Sequence, residues 1–334
     1  MGKNTWKVYY NGNFWGHSDR ERAGKEVRVN KVFKWYDEIW HIPAVYLCGK
    51  GLVVDFCVEI DPQRMKDFLH KWEDQLREEW KISRETRRTI ERENPMELNF
   101  SAEFLVNSRV LKMKSGCGVG WLPSECYPDG IEESVGEEAE KVLDYYGLDK
   151  SRAWTIRRCA YPWLTSRKPV IKHIEMHLQQ LPTGITGETF VSPSEGETAE
   201  ISHPITGEKY TLKIEEYLRH KLPEEHFGNP EVEYPSHFTA VEYSVDPDLN
   251  HEKLRLFDTA EGDSPRRKSD GKPSSGTAFG IIGGADGPTA VFLSTNSPKT
   301  YDACSSLHFV PQNKIVWQPM FYEKLREDLI ADII

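Results

Sequence analysis

Apolar and polar positions alternate in short runs along the first sixty residues, and glycine and asparagine cut the runs apart. Trp6 to Tyr10 and Phe14-Trp15-Gly16 flank Asn11-Gly12-Asn13, a pattern that predicts a hairpin. Ile42 to Cys48 and Leu52 to Ile60 are rich in β-branched and aromatic residues, and Gly49-Lys50-Gly51 separates them, which predicts a strand on each side of a glycine turn. Asp61-Pro62 then sets a capping residue before a proline at the first helical position. Met65, Phe68, Leu69, Trp72 and Leu76 follow at three- and four-residue spacing and predict an amphipathic helix. The charged stretch Glu79 to Glu93 extends that helix or forms an exposed connection as far as Asn94-Pro95, after which Leu98 to Met113 returns to strand character.

A second short helix is predicted from about Val135 to Tyr146, closed by Gly147. From Arg152 onward, short alternating runs are divided by clusters such as Pro-Thr-Gly and Thr-Gly-Glu, the pattern of an antiparallel sheet. Thr259 to Gly276 is poor in large apolar residues and reads as a mobile loop. The chain closes with a strand at Lys314 to Trp317 and a charged amphipathic helix from about Glu323. The expected fold class is α+β, predominantly antiparallel β with a few amphipathic helices. Proline, glycine and acidic residues at Pro123 to Glu133 divide it into an α+β region, 1–130, and a mainly β region, 131–334.

Composition changes this picture little and narrows the partners. With 38% hydrophobic residues, 10 Trp, 14 Tyr and 14 Phe, the 334 residues suffice for a buried core without disulfides. The balance of 43 Lys and Arg against 53 Asp and Glu gives a net charge of −10, which disfavours attraction to a phosphate backbone, so no nucleic-acid partner is expected. No secretory leader opens the chain, and the six cysteines form no C-x-x-C pair; reduced thiols in a cytoplasm fit this usage. The longest nearly uncharged stretch, Thr277 to Leu293, holds Asp286 and falls short of the roughly 20 residues that span a bilayer, so membrane insertion is not expected.

The first candidate chemistry is His173-Ile174-Glu175-Met176-His177. Strand alternation puts His173, Glu175 and His177 on one face, and imidazole with carboxylate is a donor set for a divalent metal such as zinc, manganese or iron. His203 and His237 are candidates for a further ligand. A metal held there would activate water or polarise an oxygen, as in a metal-dependent hydrolase. The same alternation also describes the solvent face of a strand whose Ile174, Met176 and Leu178 enter the core.

The second is the stretch Gly280-Ile281-Ile282-Gly283-Gly284-Ala285-Asp286-Gly287-Pro288-Thr289-Ala290-Val291-Phe292-Leu293, which closely resembles the signature of the β subunit of sodium-ion-translocating decarboxylases. The resemblance implies a sodium-linked role for Asp286 and a soluble accessory of such a complex as one function. Turn backbones also make nests for ions, so Gly283, Gly284, Asp286, Gly287 and Thr289 read separately as an ion or ligand loop. A sodium path needs surrounding membrane-spanning elements, which about 15 of 334 residues do not supply. Read as local chemistry, the same residues are two strands joined by a glycine-rich reversal.

Cys117 stands in the glycine-rich stretch Ser115 to Gly120, where a turn or an exposed thiol are the two readings. Trp35, Tyr36, Trp40 and His41 form an aromatic stretch suited to core packing or to a ligand groove. No catalytic set is complete in the sequence. The leading expectation is therefore a binding or interaction protein whose partner, protein or small molecule, is unspecified, with the hydrolase as the enzymatic alternative.

Overall fold

Leu52 to Ile60 is apolar at nearly every position because the strand it forms is covered on both faces. In the computed structural model, which describes residues 6–17, 20–77, 84–128, 136–166, 168–223, 227, 229–249, 252–272 and 300–334, the chain is an α+β protein built mainly of antiparallel sheets. It divides into two compact units, one of Met1–Leu181 with Lys324–Ile334 and one of Pro182–Glu323. The division expected at 130/131 is displaced by pairing: Ala153–Pro162 lies against Gly51–Ile60 residue for residue, so the second helix and the strand after it belong to the first unit.

The first unit contains strands β1 (Lys25–Trp35), β2 (Glu38–Leu47) and β3 (Gly51–Ile60) and helices α1 (Pro62–Lys71), α2 (Glu73–Arg77) and α3 (Arg84–Glu93). It continues with β4 (Phe100–Val106), β5 (Arg109–Leu111), β6 (Ser115–Trp121), α4 (Glu137–Tyr146), β7 (Ala153–Pro162) and β8 (Ile174–Gln180). One sheet has the order β1-β2-β3-β7-β6; the other joins the C-terminal strand Leu329–Asp332 to β8, β4 and β5. Leu52, Val54, Phe56 and Val58 of β3 share a core with Phe100, Ala102 and Phe104 of β4 and with Ile174, Met176 and Leu178 of β8. The intervening residues of β3 face the other way, Val53 toward Val8 and Tyr10, and Cys57 toward Val142 and Leu143 of α4. Pro43, which has no N–H for the ladder, sits where the β2 and β3 registers slip by one residue between His41 and Val45. The bulge lets Trp40, Ile42 and Val45 all enter the same core.

Local signals near the helices act as the sequence implies. The Asp61 carboxylate accepts the Gln63 N–H at 3.0 Å at the start of α1, and α4 ends on Gly147 at φ 69°, with the Leu148 N–H donating to the Leu143 carbonyl at 2.9 Å. Two expectations fail. The N-terminal hairpin is not formed over residues 6–17, because the Asn13 side chain accepts the N–H groups of Trp15 and Gly16 at 3.0 and 2.9 Å in place of a strand partner. The C-terminal helix is also absent: Leu329–Asp332 pairs with β8, and Arg326 anchors the preceding turn through two bonds to Glu38 at 2.7 and 2.8 Å. Sheet pairing there overrides the helical spacing of charges.

The second unit is β9 (Thr183–Thr186), β10 (Phe190–Val191), β11 (Thr198–Ser202), β12 (Lys209–Lys221), β13 (Val232–Glu233), β14 (His237–Asp246), β15 (Leu254–Asp258), β16 (Arg266–Arg267), β17 (Tyr301–Cys304) and β18 (Val316–Glu323). One sheet runs β11-β12-β14-β17, and a second runs β10-β18-β15 with β9 on β18. Leu212 and Ile214 of β12, Tyr243 and Val245 of β14, and Trp317 and Phe321 of β18 meet in its core. The segment read as a loop at 259–276 holds sheet structure in its described part, since β16 pairs with β13 and the Arg266 guanidinium meets the Glu233 carboxylate at 2.7 Å. Among the described residues no helix is long and apolar enough to cross a membrane.

Candidate functional site

Strands β12 and β14 remain paired to their ends, so Arg219, His220 and Lys221 stand opposite Thr239, Phe238 and His237. Beyond β17 the chain returns to this end of the sheet and is fastened there by backbone bonds. The Ser305 N–H donates to the Thr239 carbonyl at 2.8 Å and the Thr239 N–H to Ser305 Oγ at 2.9 Å, while His237 and His308 exchange backbone bonds of 2.9 and 2.8 Å. Those six residues, with Ser305, His308 and the segment Pro311-Gln312, line an open cavity of about 240 Å³ within the second unit.

His308 is a buried imidazole in the wall, 6% exposed. Its Nδ1 lies 3.6 Å from Asp263 Oδ2, and that oxygen is fixed by accepting the Phe309 N–H at 2.7 Å. The Asp263 carboxylate therefore stands on the Nδ1 side of the ring, away from Nε2. Nε2 is buried and has no hydrogen-bond partner among the described residues, a condition that costs about 1–3 kcal/mol. Four other buried polar atoms differ in setting. Tyr10 OH and Trp317 Nε1 sit within apolar core clusters, His203 Nε2 has Glu323 at 3.3 Å, and His41 Nε2 has Glu59 at 3.8 Å. His308 combines a buried atom left without a described partner with a place in the wall of an open volume.

The same wall excludes one catalytic reading. Ser305 is 1% exposed, and its Oγ accepts from Thr239 and donates to the Ser306 carbonyl at 3.0 Å, so its hydroxyl is committed to the backbone. Asp263, His308 and Ser305 therefore do not assemble as a nucleophilic triad.

A second polar group, fully satisfied, lies in the first unit. Asp55 of β3 and Arg158 of β7 are direct neighbours across the ladder, 0% and 4% exposed, and the guanidinium forks onto the carboxylate with two bonds of 2.7 Å. The Tyr146 hydroxyl donates to Asp55 at 2.7 Å and lies 2.6 Å from the Tyr46 hydroxyl, which accepts the Trp6 indole N–H at 3.0 Å. Arg158 stacks over Phe14 at 4.4 Å and Trp6 at 5.5 Å. Burial opposes the charge on Arg158, but the Asp55 carboxylate outweighs it and moves the guanidinium pKa up; burial and the same carboxylate raise Tyr146. Every partner here is another part of the protein, and the network ties α4 and the N-terminal segment to the sheet.

The residues singled out by sequence fall elsewhere. His173, just before β8, meets Asp332 at 3.0 Å, and His177 turns back onto Glu175 at 2.6 Å, each the ion-pairing face of a strand whose Ile174, Met176 and Leu178 are buried. Among the described residues no group of three or more His, Cys, Asp or Glu is placed to hold a metal ion, so the three are not gathered into one donor set. His203 Nδ1 accepts the N–H groups of Ile205 and Thr206 and organises a turn, whereas His237 lines the cavity. Cys117 lies on β6 rather than in a turn, opposite Arg158, and burial raises its thiol pKa against a lowering by that guanidinium, the reverse of an activated nucleophile. Trp35 and Trp40 are core residues; Tyr36 is exposed, with its hydroxyl accepting the Glu327 N–H at 2.9 Å. Gly283, Gly284, Asp286, Gly287 and Thr289 lie outside the described residues. Asp263 and His308 escaped sequence reading because each is an isolated polar residue in a connecting segment.

No family model matches the chain, and no curated protein or solved structure matches it.

Proposed function

We propose that this is a cytoplasmic binding protein whose small polar ligand occupies the cavity of the second unit. The buried, unpaired Nε2 of His308 carries this reading, since a ligand that hydrogen-bonds to it removes a cost the folded chain otherwise bears. Two backbone bonds to His237 fix the position of His308, and Asp263 stands 3.6 Å from its Nδ1, on the side away from Nε2. All six cysteines are free thiols, which supports a reducing compartment, and the net charge of −10 supports partners other than nucleic acid.

The test is a screen of small polar metabolites by thermal unfolding, followed by 1H–15N spectra of the imidazole side chains. A ligand present at a hundredfold excess over its Kd adds about 2.7 kcal/mol of stability. It is expected to shift the His308 Nε2 resonance, and His308→Gln is expected to lose both effects. Ligands that stabilise the protein while leaving the His308 ring unmoved would place binding elsewhere and defeat the proposal.

A further inference from the structure

The charge of the cavity wall narrows the ligand class. We infer that the cavity takes a small oxyanion, a phosphate group above all, with His308 Nε2 on its buried side and Arg219 and Lys221 at its rim; this rests on the ligand-binding reading of the same cavity. Both cations are exposed, and no Asp or Glu is among the described lining residues, although acidic side chains outnumber basic ones across the chain by 53 to 43. His220 and His237 add two more imidazoles and Gln312 an amide, so the wall offers donors in excess of fixed acceptors.

Phosphate suits His308 in either protonation state. A neutral ring with its proton on Nδ1 accepts from a P–OH at Nε2, and an imidazolium donates to a phosphate oxygen while Asp263 balances its charge. The volume of about 240 Å³ corresponds to roughly eight waters at about 30 Å³ each, room for a phosphate group and part of a small substituent but not for a large apolar ligand. Phosphate is also the anion that arginine's planar fork and lysine's point charge recognise together.

Two phosphate sources share this chemistry: the free ion and a phosphate monoester. Calorimetric titration of the full chain with inorganic phosphate, glycerol 3-phosphate and neutral glycerol separates them, since saturable heat with the ester alone assigns a monoester site and with both assigns the phosphate group itself. Arg219→Ala/Lys221→Ala changes only exposed residues and is expected to fold; it is predicted to weaken binding about tenfold or more, with His308→Gln acting in the same direction. Absence of saturable binding by either phosphate compound, or an unchanged Kd in the double variant, overturns the oxyanion assignment. A neutral metabolite that still shifts the His308 resonance would leave the cavity reading standing; no shift with any compound would remove both.

Discussion

Replacing Asp55 with Asn tests whether the buried pair is a structural requirement of the first unit. The substitution keeps the side-chain shape and leaves the Arg158 guanidinium, 4% exposed, with no opposing charge. It weakens two charge-assisted bonds of 2.7 Å and alters the acceptor of the Tyr146 hydroxyl, also at 2.7 Å, while the stacking of Arg158 over Phe14 and Trp6 remains. Uncompensated burial of a charge costs about 3–5 kcal/mol, which is a large share of the roughly 5–15 kcal/mol that holds a domain together. Urea unfolding followed by tryptophan fluorescence is the assay, because Trp6 and Trp154 both belong to the affected clusters. The expected midpoint falls by an amount equivalent to about 3–5 kcal/mol at unchanged m. In Asp55→Leu/Arg158→Met, where both charges are gone, most of that loss is expected to return, since the penalty lies in the unpaired ion. A loss below about 1 kcal/mol in Asp55→Asn refutes the reasoning, because it means the guanidinium reaches water or another anion.

A like-charge row in the second unit gives a prediction of opposite sign. Glu242 of β14 stands opposite Glu216 of β12 and Asp302 of β17, and partial burial, then the Glu242 charge, raises the Asp302 pKa. A carboxyl whose folded pKa exceeds its unfolded value contributes stability in full below the unfolded pKa and loses it as pH rises through the folded pKa. At pH 7 the charged side chain is therefore a burden, and Asp302→Asn is expected to stabilise by about 0.2–1 kcal/mol in urea unfolding, with the gain fading below about pH 4. A gain that persists unchanged at pH 3 contradicts repulsion as its source. The pairing of His173 with Asp332 and of His177 with Glu175 predicts that elemental analysis finds the same metal content in the parent protein and in His173→Ala/His177→Ala after incubation with zinc. Loss of one equivalent of metal in a folded variant restores the donor-set reading.

Periodicity made much of the fold legible and the site nearly illegible. The strands flanking Gly49-Lys50-Gly51, the Asp61-Pro62 helix start and the Gly147 stop are encoded within a few residues of where they act, and local reading finds them. Failures came where a distant partner decides. Val8 and Tyr10 alternate like a strand but are held as an irregular segment in a core with Tyr46 and Val53, and the charges after Glu323 look helical until Leu329–Asp332 finds an edge of β8. His-x-Glu-x-His drew attention because its donors are close in sequence; alternation then brought His177 onto Glu175 and fixed its role as a surface pair. Asp55 inside an otherwise apolar run was a visible signal of a buried ion pair, since an isolated carboxylate does not persist between two packed layers, and Arg158 inside β7 was its counterpart.

The Asp55 network and His308 treat a buried polar group in opposite ways, and the contrast supports the proposed binding site. In the first, Asp55 has Arg158 and Tyr146, Tyr146 has Tyr46, and Tyr46 has Trp6, so adding a ligand gains nothing that the chain does not already provide. In the second, Asp263 stands 3.6 Å from Nδ1 and no described residue hydrogen-bonds to Nε2, although the atom is buried. A side chain that only needed to fill space there would be better apolar, because leaving a buried nitrogen unpaired costs about 1–3 kcal/mol and a methyl group costs none. In the proposed function, the free energy forfeited at His308 is what a hydrogen-bonding ligand would restore. His308→Leu separates the two roles: it is expected to make the empty protein more stable and the ligand-bound difference vanish, whereas a destabilised protein would mean that the imidazole serves the fold.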